Sequence, residues 1–108
     1  MNITKLKETI ERRNKLDIND DYALEECWNI FTNILTNNID ETIDFLKTCT
    51  EDEFYGVAEV FPEIISKTQS HEIYNTMIAR NESLENQEYK ESNQTDLQFA
   101  KEAFINQQ

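Results

Sequence analysis

The stretch Asp21-Tyr22-Ala23-Leu24-Glu25-Glu26-Cys27-Trp28-Asn29-Ile30-Phe31-Thr32-Asn33-Ile34-Leu35 decides the fold class. Leu24, Cys27, Trp28, Phe31, Ile34 and Leu35 recur three and four residues apart, the period of one helix face. Asp20 or Asn19 stands where a cap is needed, and Asp21, Glu25 and Glu26 lie towards the positive end of the helix dipole. The helix is expected to end at Asn37-Asn38. Trp28 shares the spacing of the core positions and reads as core rather than as a ligand-stacking ring.

On the N-terminal side, Ile3, Leu6 and Ile10 mark an amphipathic helix over roughly residues 3–15. It carries Lys5, Lys7, Arg12, Arg13 and Lys15 against Glu8 and Glu11, and it is expected to pack on the acidic remainder of its own domain. On the C-terminal side, Asn38-x-x-Glu41 has the form of a capping box and opens a helix over about 39–48. Ile39, Ile43 and Leu46 share one face of it, with Phe45 beside them. Thr50-Glu51-Asp52-Glu53 is a second capping box, and Cys49 and Phe54 are spaced as a hydrophobic staple. Phe54, Val57, Ala58, Phe61, Ile64 and Ile65 continue that helix. Gly56 is placed to allow close helix packing. Pro62 has no N–H for the carbonyl of Ala58, which predicts a kink or break near Val60-Phe61.

Thr68-Gln69-Ser70 reads as a short polar connection, and Ser70 caps a fifth helix with Ile73, Tyr74, Met77 and Ile78. Residues 81–96 turn polar, with Leu84 and Tyr89 as the only anchors, and read as an exposed helix extension or, over 83–95, a mobile connection. Leu97, Ala100, Ala103 and Phe104 mark a last helix over about 96–105. The chain therefore reads as all-α: a single compact domain, residues 1–108, of five to six antiparallel helices. One Gly in 108 residues argues against hairpin-rich β folds, and one Pro leaves long helices mostly uninterrupted.

Charge narrows the function. The net charge is −12, from 22 acidic and 10 basic side chains. Phosphate backbones and anionic lipid surfaces repel such a chain, so neither nucleic acid nor membrane is the expected partner. A basic protein is. Between Asp17 and Glu63 stand 13 acidic residues and one base, Lys47. Asp40, Glu41, Asp44, Glu51, Asp52 and Glu53, continued by Glu59 and Glu63, are candidates for a partner-binding patch. Tyr22, Tyr55, Tyr74 and Tyr89 are candidate aromatic anchors, with Tyr55 nearest the patch.

Enzyme chemistry finds little support. His71 is the only His, so two-His metal binding within one chain is excluded. Asp17-Ile18-Asn19-Asp20-Asp21 opens like a calcium loop, but Tyr22 stands where the turn needs Gly and Trp28 where a bidentate Glu is required. No Gly-rich phosphate loop exists. No cofactor or metal is expected. The segment Met1 to Lys7 lacks the apolar core of a signal peptide, and no apolar run approaches the roughly 18 residues of a membrane span. A cytoplasmic location is the expectation, with Cys27 and Cys49 as buried reduced thiols.

Glu25-Glu26-Cys27-Trp28-Asn29-Ile30-Phe31, Asp40-Glu41-Thr42-Ile43-Asp44-Phe45-Leu46, Thr50-Glu51-Asp52-Glu53-Phe54, and Glu59-Val60-Phe61 through Ser70-His71-Glu72-Ile73 together resemble small helical immunity proteins. These belong to bacterial polymorphic-toxin and contact-dependent growth inhibition systems. The resemblance covers roughly residues 20–80, and Pro62 departs from its otherwise continuous helix. It implies a cytosolic antitoxin that binds one cognate toxin domain, often a basic nuclease, and blocks its active site or substrate groove, with no catalytic residues of its own. Two alternatives remain beside it: a phage-type nucleic-acid mimic acting against host defence, and a small helical adaptor or oligomerisation domain.

Overall fold

A computed structural model describes residues 1–17 and 19–105; Ile18, within the calcium-loop-like stretch, and residues 106–108 lie outside the description. Among the described residues seven α-helices follow one another: α1 (Ile3–Asn14), α2 (Asp21–Leu35), α3 (Ile39–Thr48), α4 (Glu51–Val57), α5 (Phe61–Thr68), α6 (His71–Glu82) and α7 (Gln87–Glu102). A 3-10 turn, Ala58–Val60, joins α4 to α5. No strand occurs among the described residues, and the fold is all-α. Taken as one interrupted rod, α4, the turn and α5 bring the helix number to the expected six.

The local signals act where the sequence placed them. The side chains of Asp20, Asn38, Thr50 and Ser70 each accept a backbone N–H three residues on. Thr50 and Glu53 form the full reciprocal box: Glu53 N–H donates to Thr50 Oγ1 at 3.1 Å, and Thr50 N–H donates to Glu53 Oε1 at 2.8 Å. The box at Asn38 is only half made, because Glu41 turns to the Met1 amino group instead. Pro62 sits in the first turn of α5, where a missing N–H costs nothing. The chain therefore tightens into the 3-10 turn just ahead of it, and Phe61 N–H donates to Ala58 O.

The apolar stripes converge on one core in which Phe31, Phe54 and Phe61 are fully buried, with Leu6, Leu35, Leu46, Ile64 and Ile65. The rings of Phe54 and Phe61 meet at 5.2 Å and 58°, a tilted aromatic contact. Around this core α1 packs on α2 and α4, α3 packs on α6, and α7 packs on α5, α6 and the 3-10 turn. The Cα radius of gyration, 13.0 Å, is that of a fully collapsed chain of this length, about 13 Å.

Four expectations need adjustment. Helix α2 ends at Leu35 rather than Asn37-Asn38, because the buried Thr42 hydroxyl donates to the Leu35 carbonyl at 2.8 Å and turns the chain into α3. Ile39 is 40 % exposed and does not join Ile43 and Leu46 in the core. The last helix begins at Gln87, nine residues before the expected start and inside the polar segment. Asn86 caps it, and Asn93, buried against α6, donates through Nδ2 to Asn81 Oδ1 at 3.0 Å. Finally, Gln69 is more than a linker residue. It takes the left-handed conformation (φ 51°) that closes α5. Its amide nitrogen donates to Ala103 O at 3.0 Å, and its carbonyl accepts Ile105 N–H at 2.8 Å. One side chain thus ties the end of α5 to the end of α7.

Gly56 lets α1 and α4 approach closely. A Cβ there would stand 2.9 Å from Ile10 Cγ2 and 3.0 Å from Asn14 Oδ1. Ile10 is buried and β-branched, so it has little room to yield. Gly56→Ala gains helix propensity but forces the two helices apart, and overpacking outweighs propensity. The expected net loss is about 1–2 kcal/mol, read as a lower urea midpoint at unchanged m-value; a midpoint equal to or above that of the parent contradicts this packing.

Candidate functional site

The basic helix does pack on its own acidic body. Arg13, in the last turn of α1, sends Nε and Nη2 to Glu59 Oε1 at 2.7 and 2.6 Å. Trp28 Nε1 on α2 donates to the same oxygen at 3.3 Å. The Arg13 guanidinium also lies over the Tyr55 ring, 5.3 Å from its centroid. Tyr55 in turn stacks on Tyr89 at 4.2 Å, and Tyr89 Oη donates to Asp52 Oδ1 at 2.7 Å. A single polar and aromatic seam therefore joins α2, the 3-10 turn, α1, α4 and α7. Lys7 with Glu53, and Arg12 with Glu26, add ion pairs from the same basic helix.

This geometry divides the nine candidate residues. Glu41 binds the Met1 amino group, and Glu51 accepts the N–H groups of Glu85 and Asn86 at 2.9–3.1 Å. Those donors hold the Glu51 carboxyl below its ordinary range. Asp52, Glu53, Tyr55 and Glu59 are engaged as described above. Asp40 and Asp44 on α3 and Glu63 on α5 remain exposed, with no ion pair or hydrogen bond to their carboxylates among the described residues. The continuous patch expected from the sequence is thus separated into carboxylates that hold helices together and carboxylates that face outward. Of the other tyrosines, Tyr74 packs edge-on against Phe104 and Tyr22 stands 84 % exposed.

Sequence reading missed Asp96. It sits half-buried on α7, and its carboxyl is pushed up to about 6, first by burial and then by the charge of Glu59, with Arg13 opposing. Only the fold brings Asp96 near Glu59, so no local motif could have marked it. The thiols are free and buried. Burial pushes the Cys49 thiol up to about 11 and the Cys27 thiol upward as well. His71 lies flat on Phe104, with ring centroids 4.1 Å apart. The described residues hold no group of three His, Cys, Asp or Glu side chains suited to a metal ion, and no helix among them is long and apolar enough to cross a membrane. No family model, curated protein or solved structure matches the chain.

A shallow groove of about 400 Å³ runs between α2 and the stretch from the 3-10 turn into α5, with Glu59 and Glu63 on one wall and Glu25 and Trp28 on the other. It is the place where part of the candidate patch meets solvent beside an aromatic ring.

Asp96 yields a measurable signature. In the fold it keeps its proton up to about pH 6, whereas in the unfolded chain it ionises at about 3.9. Between those values the folded state binds the extra proton, so this contribution to stability is full at low pH and is lost as pH rises through 6. Asp96→Asn is therefore expected to be more stable than the parent at pH 7.5, by about 1 kcal/mol once solvent screening of a half-buried group is allowed for. At pH 4 the gain should shrink to a few tenths of that. Urea denaturation at the two pH values checks it; an equal gain at both contradicts a carboxyl raised by burial and by Glu59.

Proposed function

We propose that this protein is an immunity protein: a helical antitoxin that binds a cognate toxin domain, a basic nuclease, and neutralises it by covering its active site or substrate groove. The observation that carries this reading is the charge left over after the internal pairs are made. The chain's −12 is not cancelled inside the fold, because the basic helix α1 is spent on Glu26, Glu53 and Glu59 while Asp40, Asp44 and Glu63 face solvent. Like charges held on one surface repel, and a basic partner relieves that cost on binding. A nuclease must attract phosphate and so presents a positive groove, which an acidic surface can occupy in competition with nucleic acid.

Binding rather than catalysis is the reading that the reactive side chains support. Both thiols are buried with raised pKa values, unlike activated nucleophiles, and the single imidazole is stacked on an aromatic ring. The fold offers surfaces made by helix faces, and such surfaces suit protein recognition.

The test is co-expression with the product of the gene adjacent to this chain's own, which this reading expects to carry a basic toxin domain. Growth rescue is expected, together with a complex whose affinity falls at least tenfold between 50 and 500 mM NaCl, since screening weakens charge-steered association. Failure to rescue and failure to bind at 50 mM NaCl would falsify the reading.

A further inference from the structure

We infer that the basic partner docks in the groove between α2 and α5, and that it presents an α-helix bearing Lys or Arg to that groove. This places the contact away from α3 and the start of α4, where the acidic residues are densest. It rests on the reading of the chain as an inhibitor of a basic protein and adds where and how it binds.

Three features distinguish the groove. The first is its charge. Its walls carry Glu25, Glu59 and Glu63 against Lys67, and with Glu59 committed to Arg13 and Trp28 the carboxylates left for a partner are Glu25 and Glu63. At the N-terminal end of α2 the hollow continues past Glu25 and Asn29 to Glu26 and Tyr22. Glu25 and Glu63 have no ion pair or hydrogen bond to their carboxylates among the described residues. By contrast, Glu41, Glu51, Asp52 and Glu53 are engaged within the fold and would have to give up those partners, or share them, to meet another protein.

The second is its aromatic furniture. Trp28 forms part of the wall and is held in place by the bond from Nε1 to Glu59, so its ring is presented without further loss of rotamer freedom. Tyr22, one turn before Glu25 and Glu26, is 84 % exposed and has no ring contact or hydrogen bond from its hydroxyl among the described residues. An exposed Tyr near the start of α2 and a fixed Trp six residues on, with Glu25 lining both hollows, is the composition of a binding hot spot for Arg and Lys stems. At α3 and α4 the aromatic rings are committed: Phe45 and Phe54 are buried and Tyr55 lies between Arg13 and Tyr89.

The third is shape. Tyr22, Glu25, Asn29 and Asn33 recur at helical spacing and define a strip about 16 Å long, three turns of α2. A groove between two helices accepts a third helix, whose own backbone hydrogen bonds are already satisfied. An extended segment would bring unpaired N–H and C=O groups to a surface that has no strand edge among the described residues. The side-chain amides of Asn29 and Asn33 are available to guanidinium and ammonium donors.

The test uses the full chain, 15N-labelled, titrated with a synthetic amphipathic helical peptide of about 15 residues composed of Lys, Arg, Leu and Ala. Chemical-shift changes are expected at Trp28 Nε1–H and at the Asn29 and Asn33 side-chain amides. The double reversal E25K/E63K is expected to weaken binding at least tenfold and Y22A at least threefold, while D40K/D44K costs no more than twofold. All these positions are exposed, and circular dichroism checks that each variant keeps its helices. Shifts centred on α3, or a loss in D40K/D44K as large as in E25K/E63K, overturn the proposal. Growth rescue separates the two levels: peptide binding in the groove without rescue removes the toxin reading and keeps the site, whereas rescue undiminished by E25K/E63K removes the site and keeps the toxin reading.

Discussion

The guanidinium of Arg13 and the carboxylate of Glu59 meet where α1, α2, the 3-10 turn and α7 converge, and their side chains retain only 16 % and 30 % of their exposure. A pair this far out of water is held by good geometry, and removing either partner leaves the other poorly solvated. Without Arg13, Glu59 would face Asp96 with no cation between them, and its carboxylate would keep the Trp28 Nε1 bond but lose both guanidinium donors. Tyr55 depends on the same guanidinium for one face and on Tyr89 for the other. The basic helix therefore serves as an internal counterion. It anchors one portion of the acidic body so that the remaining portion can stay unneutralised at the surface.

That division explains how a chain so rich in carboxylates folds without wholesale repulsion. The first turn of α4 carries Glu51, Asp52 and Glu53 together, yet each is engaged differently. Glu51 receives the chain entering α7, Asp52 takes the Tyr89 hydroxyl, and Glu53 closes the capping box. Their position at a helix N-terminus adds the favourable dipole term. On the exposed walls of the α2–α5 groove Glu25 and Glu63 also lie towards helix N-termini, but no hydrogen-bond donor or ion pair meets their carboxylates among the described residues, and they stay open to a cationic partner.

Much of the fold could be read from local pattern because local pattern causes it. The period of Leu24, Cys27, Trp28, Phe31 and Leu35, the Thr50–Glu53 box, the break ahead of Pro62 and the close approach at Gly56 each depend on residues within a turn or two, or on the absence of a side chain. What escaped was long-range. Pattern alone left the polar run from Asn81 to Asp96 open between a helix extension and a mobile connection, since what holds it as a helix is Tyr89 stacking on Tyr55 and the buried Asn81–Asn93 bond. Gln69 looks like a linker residue until α7 arrives beside it. The candidate patch was legible only as a density of carboxylates. A density of acidic residues in sequence marks where helices start as readily as where partners bind, and only the fold shows which carboxylates already have donors.

The most direct measurement is therefore a comparison of urea unfolding midpoints for two sets of charge deletions in the isolated protein. One set removes Glu51, Asp52 and Glu53 by alanine substitution; the other removes Glu25 and Glu63. The account predicts a clear loss of stability for the first set and an unchanged or higher midpoint for the second. A loss confined to the second set, with the first unaffected, would contradict the division of the acidic surface into a part that holds the fold and a part that faces a partner.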